Sequence, residues 1–108
     1  MIIKKIFWII VMVVTQSCAT HTYNLEHGIE SFKVQDYRQA FIRLLPEAKA
    51  GQADAQYAVG YMYYYGQGVI ENRKKARYWI ERSAAAGNES AIAALDILRQ
   101  GKNLSNVP

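Results

Sequence analysis

The sequence predicts an all-α protein: a short α/α solenoid of two helical hairpins and a C-terminal capping helix, preceded by an N-terminal signal-peptide helix. Apolar residues recur at helical spacing, and glycines or capping residues separate the segments that contain them. Small residues and caps also repeat every 36 positions. A fixed period of this size is typical of stacked helical repeats. The repeated pairs are Ala40 and Ala76, Ala48 and Ala84, Gly51 and Gly87, Ala55 and Ala91, and Asp36 and Asn72.

Residues 1–17 are predicted to be a lipoprotein-type signal peptide. Lys4 and Lys5 precede nine apolar residues, too few for a spanning helix, which takes about 20. Polar residues then lead to Cys18, the only cysteine of the chain. This ending resembles the lipobox of bacterial lipoproteins, which implies an acylated Cys18 as the mature N-terminus. Ordinary secretion with cleavage after Ala19 is the alternative.

Residues 18–24 are expected to be the lipidated cysteine and a polar tether, followed by a helical repeat domain over residues 25–100. The first helix is predicted from about Leu25 to Gln35. Asp36 then caps the second helix, and Gln39 completes a capping box. Pro46 predicts a kink or a loosened turn inside this helix. The apolar stripe of the second helix consists of Ala40, Phe41, Leu44, Leu45 and Ala48.

The third helix is predicted from about Ala53 to Tyr65, where Gly66 and Gly68 reverse the chain with positive φ angles. The fourth runs from about Arg73 to Ala86, with Ala76, Trp79, Ile80 and Ala84 facing inward and Arg77 paired to Glu81 outside. The fifth, from about Glu89 to Gln100, is expected to bury Ile92, Leu95 and Leu98. Residues 101–108 are expected to be a flexible tail.

Residues 55–91 read A-Q-Y-A-V-G-Y-M-Y-Y-Y-G-Q-G-V-I-E-N-R-K-K-A-R-Y-W-I-E-R-S-A-A-A-G-N-E-S-A. This segment resembles one full Sel-one-like repeat, a subclass of the tetratricopeptide-type helical hairpin. The resemblance extends more weakly over roughly Leu25 to Gln100. It implies a non-catalytic module that binds another protein, and it implies that the first helix of each hairpin lines the ligand-holding face.

Charge and side-chain chemistry argue against several other functions. The formal net charge is +4, and Lys4 and Lys5 supply two of these charges, so the rest is too weakly basic to indicate nucleic-acid binding. No motif of a catalytic, metal or cofactor site is present. We therefore expect no enzyme, no metal and no cofactor. The basic cluster of Arg73, Lys74, Lys75 and Arg77 is most simply a solvated helix face, although anionic headgroups or wall polymers would suit it.

Tyr57, Tyr61 and Tyr64 form the candidate partner-binding site. At 100° per residue they lie within about 60° of one another, opposite Ala55, Val59 and Met62. Tyrosine offers a large contact area, few rotatable bonds and a polar tip. The competing interpretation is that these rings only pack within the array.

The predicted function is a protein-interaction scaffold of the bacterial cell envelope. A lipid on Cys18 would hold it at the periplasmic face of the outer membrane, with a secreted or soluble periplasmic protein as the alternative. A second functional hypothesis is an inhibitor or accessory subunit of a cell-wall (peptidoglycan) enzyme, and a third is a purely structural envelope lipoprotein.

Overall fold

The computed structural model describes residues 2–106, and for residues 12–22 and 106 it gives the backbone without the side chains. Within this range the chain is helical throughout its regular elements, which confirms the predicted all-α solenoid. No helix of the described part combines the length and hydrophobicity needed to cross a membrane. The elements are α1 (Ile2–Lys33), α2 (Tyr37–Lys49), α3 (Ala53–Tyr65), α4 (Arg73–Ala85), α5 (Glu89–Arg99) and the 3₁₀ turn η1 (Leu104–Asn106).

Helix α1 is longer than the sequence predicted. It runs without a break through residues 18–24, where a polar tether was expected. These residues include neither proline nor glycine, so nothing local ends the helix once it has started. The side chain of Cys18 lies outside the described residues, and the assignment of residues 1–17 as a signal peptide stays a prediction.

The ends of α2 follow the sequence closely. Asp36 accepts a hydrogen bond from the backbone amide of Gln39 at 3.4 Å, so the predicted cap is present. Pro46 lies inside the helix. The turn after it keeps its hydrogen bond, with the amide of Ala50 donating to the Pro46 carbonyl at 3.0 Å. One interior proline is therefore accommodated without ending α2.

The α3–α4 hairpin depends on glycine at two kinds of position. Gly66 and Gly68 both have a φ of +68°, as the sequence predicted for the chain reversal. Gly60, in the middle of α3, lies against α4: a Cβ atom built on it would stand 2.7 Å from Cγ1 of Ile80. Only glycine allows α3 and α4 to approach this closely without displacing Ile80.

Consecutive helices pack side by side, and two apolar clusters result. The first lies between α1, α2 and α3 and also holds Trp79, which is 8% exposed. The second lies between α3, α4, α5 and η1. Helix α3 contributes to both clusters. The buried members of the first cluster are Ala40, Leu44, Ala48, Ala55, Val59, Met62 and Trp79, and those of the second are Tyr64, Ala76, Ile80, Ala91, Ala94 and Leu104.

Helix α5 packs through smaller residues than expected. Ala91 and Ala94 are fully buried, Leu95 and Leu98 are half-buried, and Ile92 is 46% exposed. The prediction for Ile92 was wrong. This residue lies outside the face of α5 that packs against the preceding hairpin through the two alanines. The expected flexible tail differs as well: Leu104 is 1% exposed and fills the second cluster.

Polar contacts join α3 to α4, to the start of α5 and to the end of α2. The hydroxyl of Ser83 donates to the carbonyl of Ala53 at 2.6 Å, and the amide of Asn88 donates to Asp54 at 2.7 Å. The amide of Gln56 reaches back to the carbonyl of Ala48 at 3.1 Å. These hydrogen bonds give buried or half-buried polar side chains of α3, α4 and the α5 cap a partner on a neighbouring element.

Candidate functional site

Helix α3 presents its tyrosines opposite its small and aliphatic residues, as the helical spacing predicted. Ala55, Val59 and Met62 are fully buried. Tyr57 and Tyr61 lie on the other side and are half-buried. This arrangement leaves part of each ring in contact with solvent.

The rings form a continuous series of tilted and edge-to-face contacts that includes a residue from α1. The centroids of Tyr57 and Tyr61 are 6.4 Å apart, and those of Tyr61 and Tyr65 are 4.7 Å apart. Phe32 meets Tyr61 edge to face at 6.0 Å. Together Phe32, Tyr57, Tyr61 and Tyr65 make up what we call the tyrosine face.

Tyr64 lies behind the tyrosine face, where its ring meets that of Tyr65 edge to face at 4.9 Å. Tyr64 is 5% exposed and belongs to the second apolar cluster. Its hydroxyl donates to Oδ1 of Asn103 at 3.2 Å, and the guanidinium of Arg73 lies 3.5 Å from the ring centroid. Tyr64 therefore supports packing, as the competing interpretation held for the whole set.

Sequence reasoning missed Tyr65. The spacing of 57, 61 and 65 is four residues at each step, so Tyr65 lies about 40° from Tyr61 and about 80° from Tyr57 and extends the same helical face on the side away from Tyr64. That regular spacing was the available signal. The sequence alone does not say which of two adjacent tyrosines turns toward α5.

Burial makes two of these phenols weaker acids. It raises the pKa of Tyr57, and the neighbouring hydroxyls of Tyr61 and Tyr65 add to the effect. Burial also raises the pKa of Tyr65, with Tyr61 and Tyr64 contributing. At neutral pH these side chains are neutral hydrogen-bonding groups attached to large apolar rings, which suits recognition rather than acid–base chemistry.

The basic cluster at the start of α4 is solvent-exposed, and three of its four members each have a local partner. Arg73 pairs with Glu71 at 2.8 Å, Arg77 pairs with Glu81 at 3.1 Å, and Lys75 lies 5.5 Å from the ring of Tyr63. The described residues include no group of His, Cys, Asp or Glu arranged to hold a metal ion.

A family model of the Sel1 repeat matches residues 53–88. These are the residues from the start of α3 to the cap of α5. The chain carries a Sel1 repeat. The matched segment contains the complete α3–α4 hairpin, including Gly60 and three of the four members of the tyrosine face. Sel1 repeats are generally non-catalytic modules that mediate contacts between proteins, so the repeat indicates an interaction scaffold.

Among curated proteins, the chain is similar to the chitin synthase regulator SKT5 of Saccharomyces cerevisiae. The two are 32% identical over 90 residues, which is 83% of this chain and 12% of that protein. The chain thus spans about an eighth of the relative's length. No solved structure shows a significant match.

Proposed function

We propose that this Sel1 repeat protein is a non-catalytic scaffold that holds a segment of another protein on its tyrosine face. The observation that carries the proposal is the partly exposed stack of Tyr57 and Tyr61 beside Phe32. Aromatic residues dominate the energetics of many protein interfaces, because they bury a large area at a low cost in side-chain entropy.

A site-specific photocrosslinker tests the location of the partner. We expect a crosslinking residue at position 57 or 61 to join the chain to one discrete partner in envelope extracts. The matched control is position 78, since Tyr78 is an exposed tyrosine on α4 that does not belong to the tyrosine face. Equal crosslinking from all three positions would show that the partner has no preference for the tyrosine face, and the binding site would then lie elsewhere on the protein.

Truncation tests the energy of the same contacts. Tyr61→Ala should weaken capture of the crosslinked partner at least about 30-fold, as expected for an interface anchor. Tyr78→Ala should leave capture unchanged. If the Tyr61→Ala protein still captures its partner normally at a temperature where it is folded, the tyrosine face is a packing surface only.

The proposed location is the bacterial cell envelope, with the lipid of an acylated Cys18 in the outer membrane. The support is the order of residues around Cys18, together with the exposed apolar side chains of Phe7, Trp8 and Ile9 near the start of α1. Intact-mass analysis should find an acylated N-terminus, and Cys18→Ser should abolish it while Thr20→Ala does not. An unmodified chain that begins at Thr20 would instead mean ordinary secretion.

A second candidate function is regulation of a cell-wall enzyme, as an inhibitor or accessory subunit. The name of the yeast relative favours it, because that protein is a regulator of a polysaccharide synthase. The test is whether purified chain changes the rate of a wall enzyme recovered by crosslinking from position 57. An unchanged rate with and without the chain would argue for a scaffold alone.

A further inference from the structure

A second surface on the molecule has a chemistry different from that of the tyrosine face. It is a cleft of about 320 Å³ between the end of α3, the start of α4 and the segment that joins α5 to η1. Arg73, Arg77 and Lys102 line it, and Tyr64 and Asn103 also contribute. No carboxylate is among its lining residues. Three cations thus face one small volume.

Both arginines are held in place by carboxylates outside the cleft. Glu71 accepts from Nε of Arg73 at 2.8 Å, and Glu81 accepts from Nε of Arg77 at 3.1 Å. A guanidinium carries five N–H donors in a planar fork. Because these ion pairs use the inner nitrogen, the outer Nη groups of Arg77 keep their capacity to donate, and those of Arg73 share it with Tyr64. The carboxylates therefore orient the two forks without occupying them.

Tyr64 and Asn103 form the remainder of the site. The guanidinium of Arg73 lies 3.5 Å from the Tyr64 ring centroid, a cation–π contact that restricts its position. The Tyr64 hydroxyl engages Oδ1 of Asn103, so the amide nitrogen of Asn103 is left as a further donor. The hydrogen bond to Glu71 is the largest cause of a raised pKa of Arg73, which keeps its charge fixed.

We propose that this cleft binds a phosphoryl group, either free or as part of a soluble phosphorylated molecule or a lipid headgroup. A phosphate monoester carries nearly two negative charges at pH 7 and three acceptor oxygens. Glu71 and Glu81 offset part of the positive charge of the arginines, so the match rests mainly on hydrogen bonding. Three acceptor oxygens can use the N–H donors of Arg73, Arg77, Lys102 and Asn103 more fully than the two oxygens of a carboxylate can. Arginine forks are suited to phosphate because they donate two parallel hydrogen bonds to one anion.

The sharpest test uses the full chain in uncharged detergent micelles, titrated with inorganic phosphate and followed by amide NMR. We expect saturable shifts at Tyr64, Arg73, Arg77 and Lys102. Arg77→Gln and Lys102→Gln should each weaken binding about tenfold or more, because each removes a charge-assisted hydrogen bond. Lys74→Ala is the matched control: it removes one charge from the same helix, and Lys74 does not line the cleft.

Three further results decide the chemistry. Affinity should rise with pH as phosphate gains its second charge, at about pH 6 for a phosphate monoester and about one pH unit higher for the inorganic phosphate used here. Acetate that binds as tightly as phosphate would overturn the phosphoryl assignment. Equal losses of affinity in Lys74→Ala and Arg77→Gln would also overturn it, because phosphate would then respond only to the overall positive charge. The absence of any saturable shift would overturn the site itself.

Vesicles distinguish the two sources of the phosphoryl group. If Arg77→Gln lowers binding to vesicles that contain phosphatidic acid, relative to the unchanged chain and to Lys74→Ala, the cleft accepts a lipid headgroup. If the variant binds these vesicles as well as the unchanged chain and has lost only inorganic phosphate, the source is a soluble phosphorylated molecule. Both results support the phosphoryl site, and both are independent of whether the tyrosine face binds a partner.

Discussion

Different groups of one side chain can have opposite effects on the stability of this fold, and Tyr65 is the clearest case. Its ring belongs to the tyrosine face, but its hydroxyl is enclosed and has no hydrogen-bond partner among the described residues. A buried polar group without a partner has lost its bonds to water without compensation. Tyr65 therefore contributes packing through its ring and costs stability through its hydroxyl.

Replacing this tyrosine with phenylalanine should stabilise the protein. Tyr65→Phe keeps the ring contacts and removes the unpaired hydroxyl, so the free energy of unfolding should rise by about 1 kcal/mol. A thermal melt of the full chain should show a higher midpoint. Tyr64→Phe is the control, because it deletes a hydroxyl that is bonded to Asn103, and its midpoint should fall. A lower midpoint for Tyr65→Phe would mean that its hydroxyl has a partner in solution.

The same residue makes stability depend on alkaline pH. Because burial raises the pKa of Tyr65 in the folded chain, the unfolded chain releases this proton first, at about pH 10. Stability is then complete below pH 10 and falls as the pH rises through the folded-state pKa. Tyr65→Phe should lose less stability between pH 9 and pH 11 than the unchanged chain does. Identical pH profiles would contradict this.

Gln35 adopts a conformation that suits glycine. Its φ of +64° lies in the left-handed region, close to the +68° of Gly66 at the end of α3. Gln35→Gly should raise the free energy of unfolding by about 1 kcal/mol, which corresponds to roughly 4–8 °C in a domain of this size. Gln35→Ala keeps the Cβ atom and should give none of this gain. Differential scanning calorimetry would measure both.

Individual helices are positioned by a few close approaches. The contact of Gly60 with Ile80 and with the backbone of α4 sets the spacing of the α3–α4 hairpin. Alanine favours a helix more than glycine does, by about 0.5–1 kcal/mol. Steric overlap opposes this preference here, because the added methyl group would press on Ile80 and on a backbone carbonyl.

The overlap should exceed the helix preference. Gly60→Ala is expected to lower the free energy of unfolding by about 1–3 kcal/mol, the usual cost of overpacking. Chemical denaturation would measure the loss. Combining it with Ile80→Ala should cost less than the sum of the two single changes, because the smaller side chain makes room for the methyl group. Strict additivity would show that Gly60 and Ile80 do not limit the approach.

Helix positions were more predictable than side-chain exposure. The caps Asp36 and Asn72 and the glycines of the reversal act locally, so α2 and α4 begin, and α3 ends, where the sequence predicted. Whether Tyr64 or Tyr65 joins a surface depends on α5 and η1, which are distant in sequence. The burial of Leu104 and the exposure of Ile92 are also set by contacts that no local pattern encodes.

At the scale of the whole molecule, α3 ties the two hairpins into one unit. It supplies Val59 and Met62 to the first apolar cluster and Tyr64 to the second. In repeat proteins, stability is approximately the sum of the repeats and of the interfaces between neighbours. A helix that belongs to both clusters should make their unfolding cooperative.

A change in the second cluster should therefore be detected in the first. Leu104→Ala should cost about 2–5 kcal/mol, since it empties a buried site. In a Trp8→Phe background Trp79 is the only tryptophan, and it reports on the first cluster. We expect its fluorescence transition and the loss of helical circular dichroism to shift together. A fluorescence midpoint that stays unchanged while the helical signal moves would mean that the hairpins unfold separately.

The equivalence of α5 and α3 means that the length of this protein can change by whole units. Ala91 and Ala94 on α5 stand 36 positions after Ala55 and Ala58 on α3, and both pairs lie against the preceding hairpin. The turn at Gly87 has open space around it. Duplicating residues 53–88 in tandem would thus give each new first helix a surface that already accepts one. Gene duplication could lengthen such a chain without redesigning any interface.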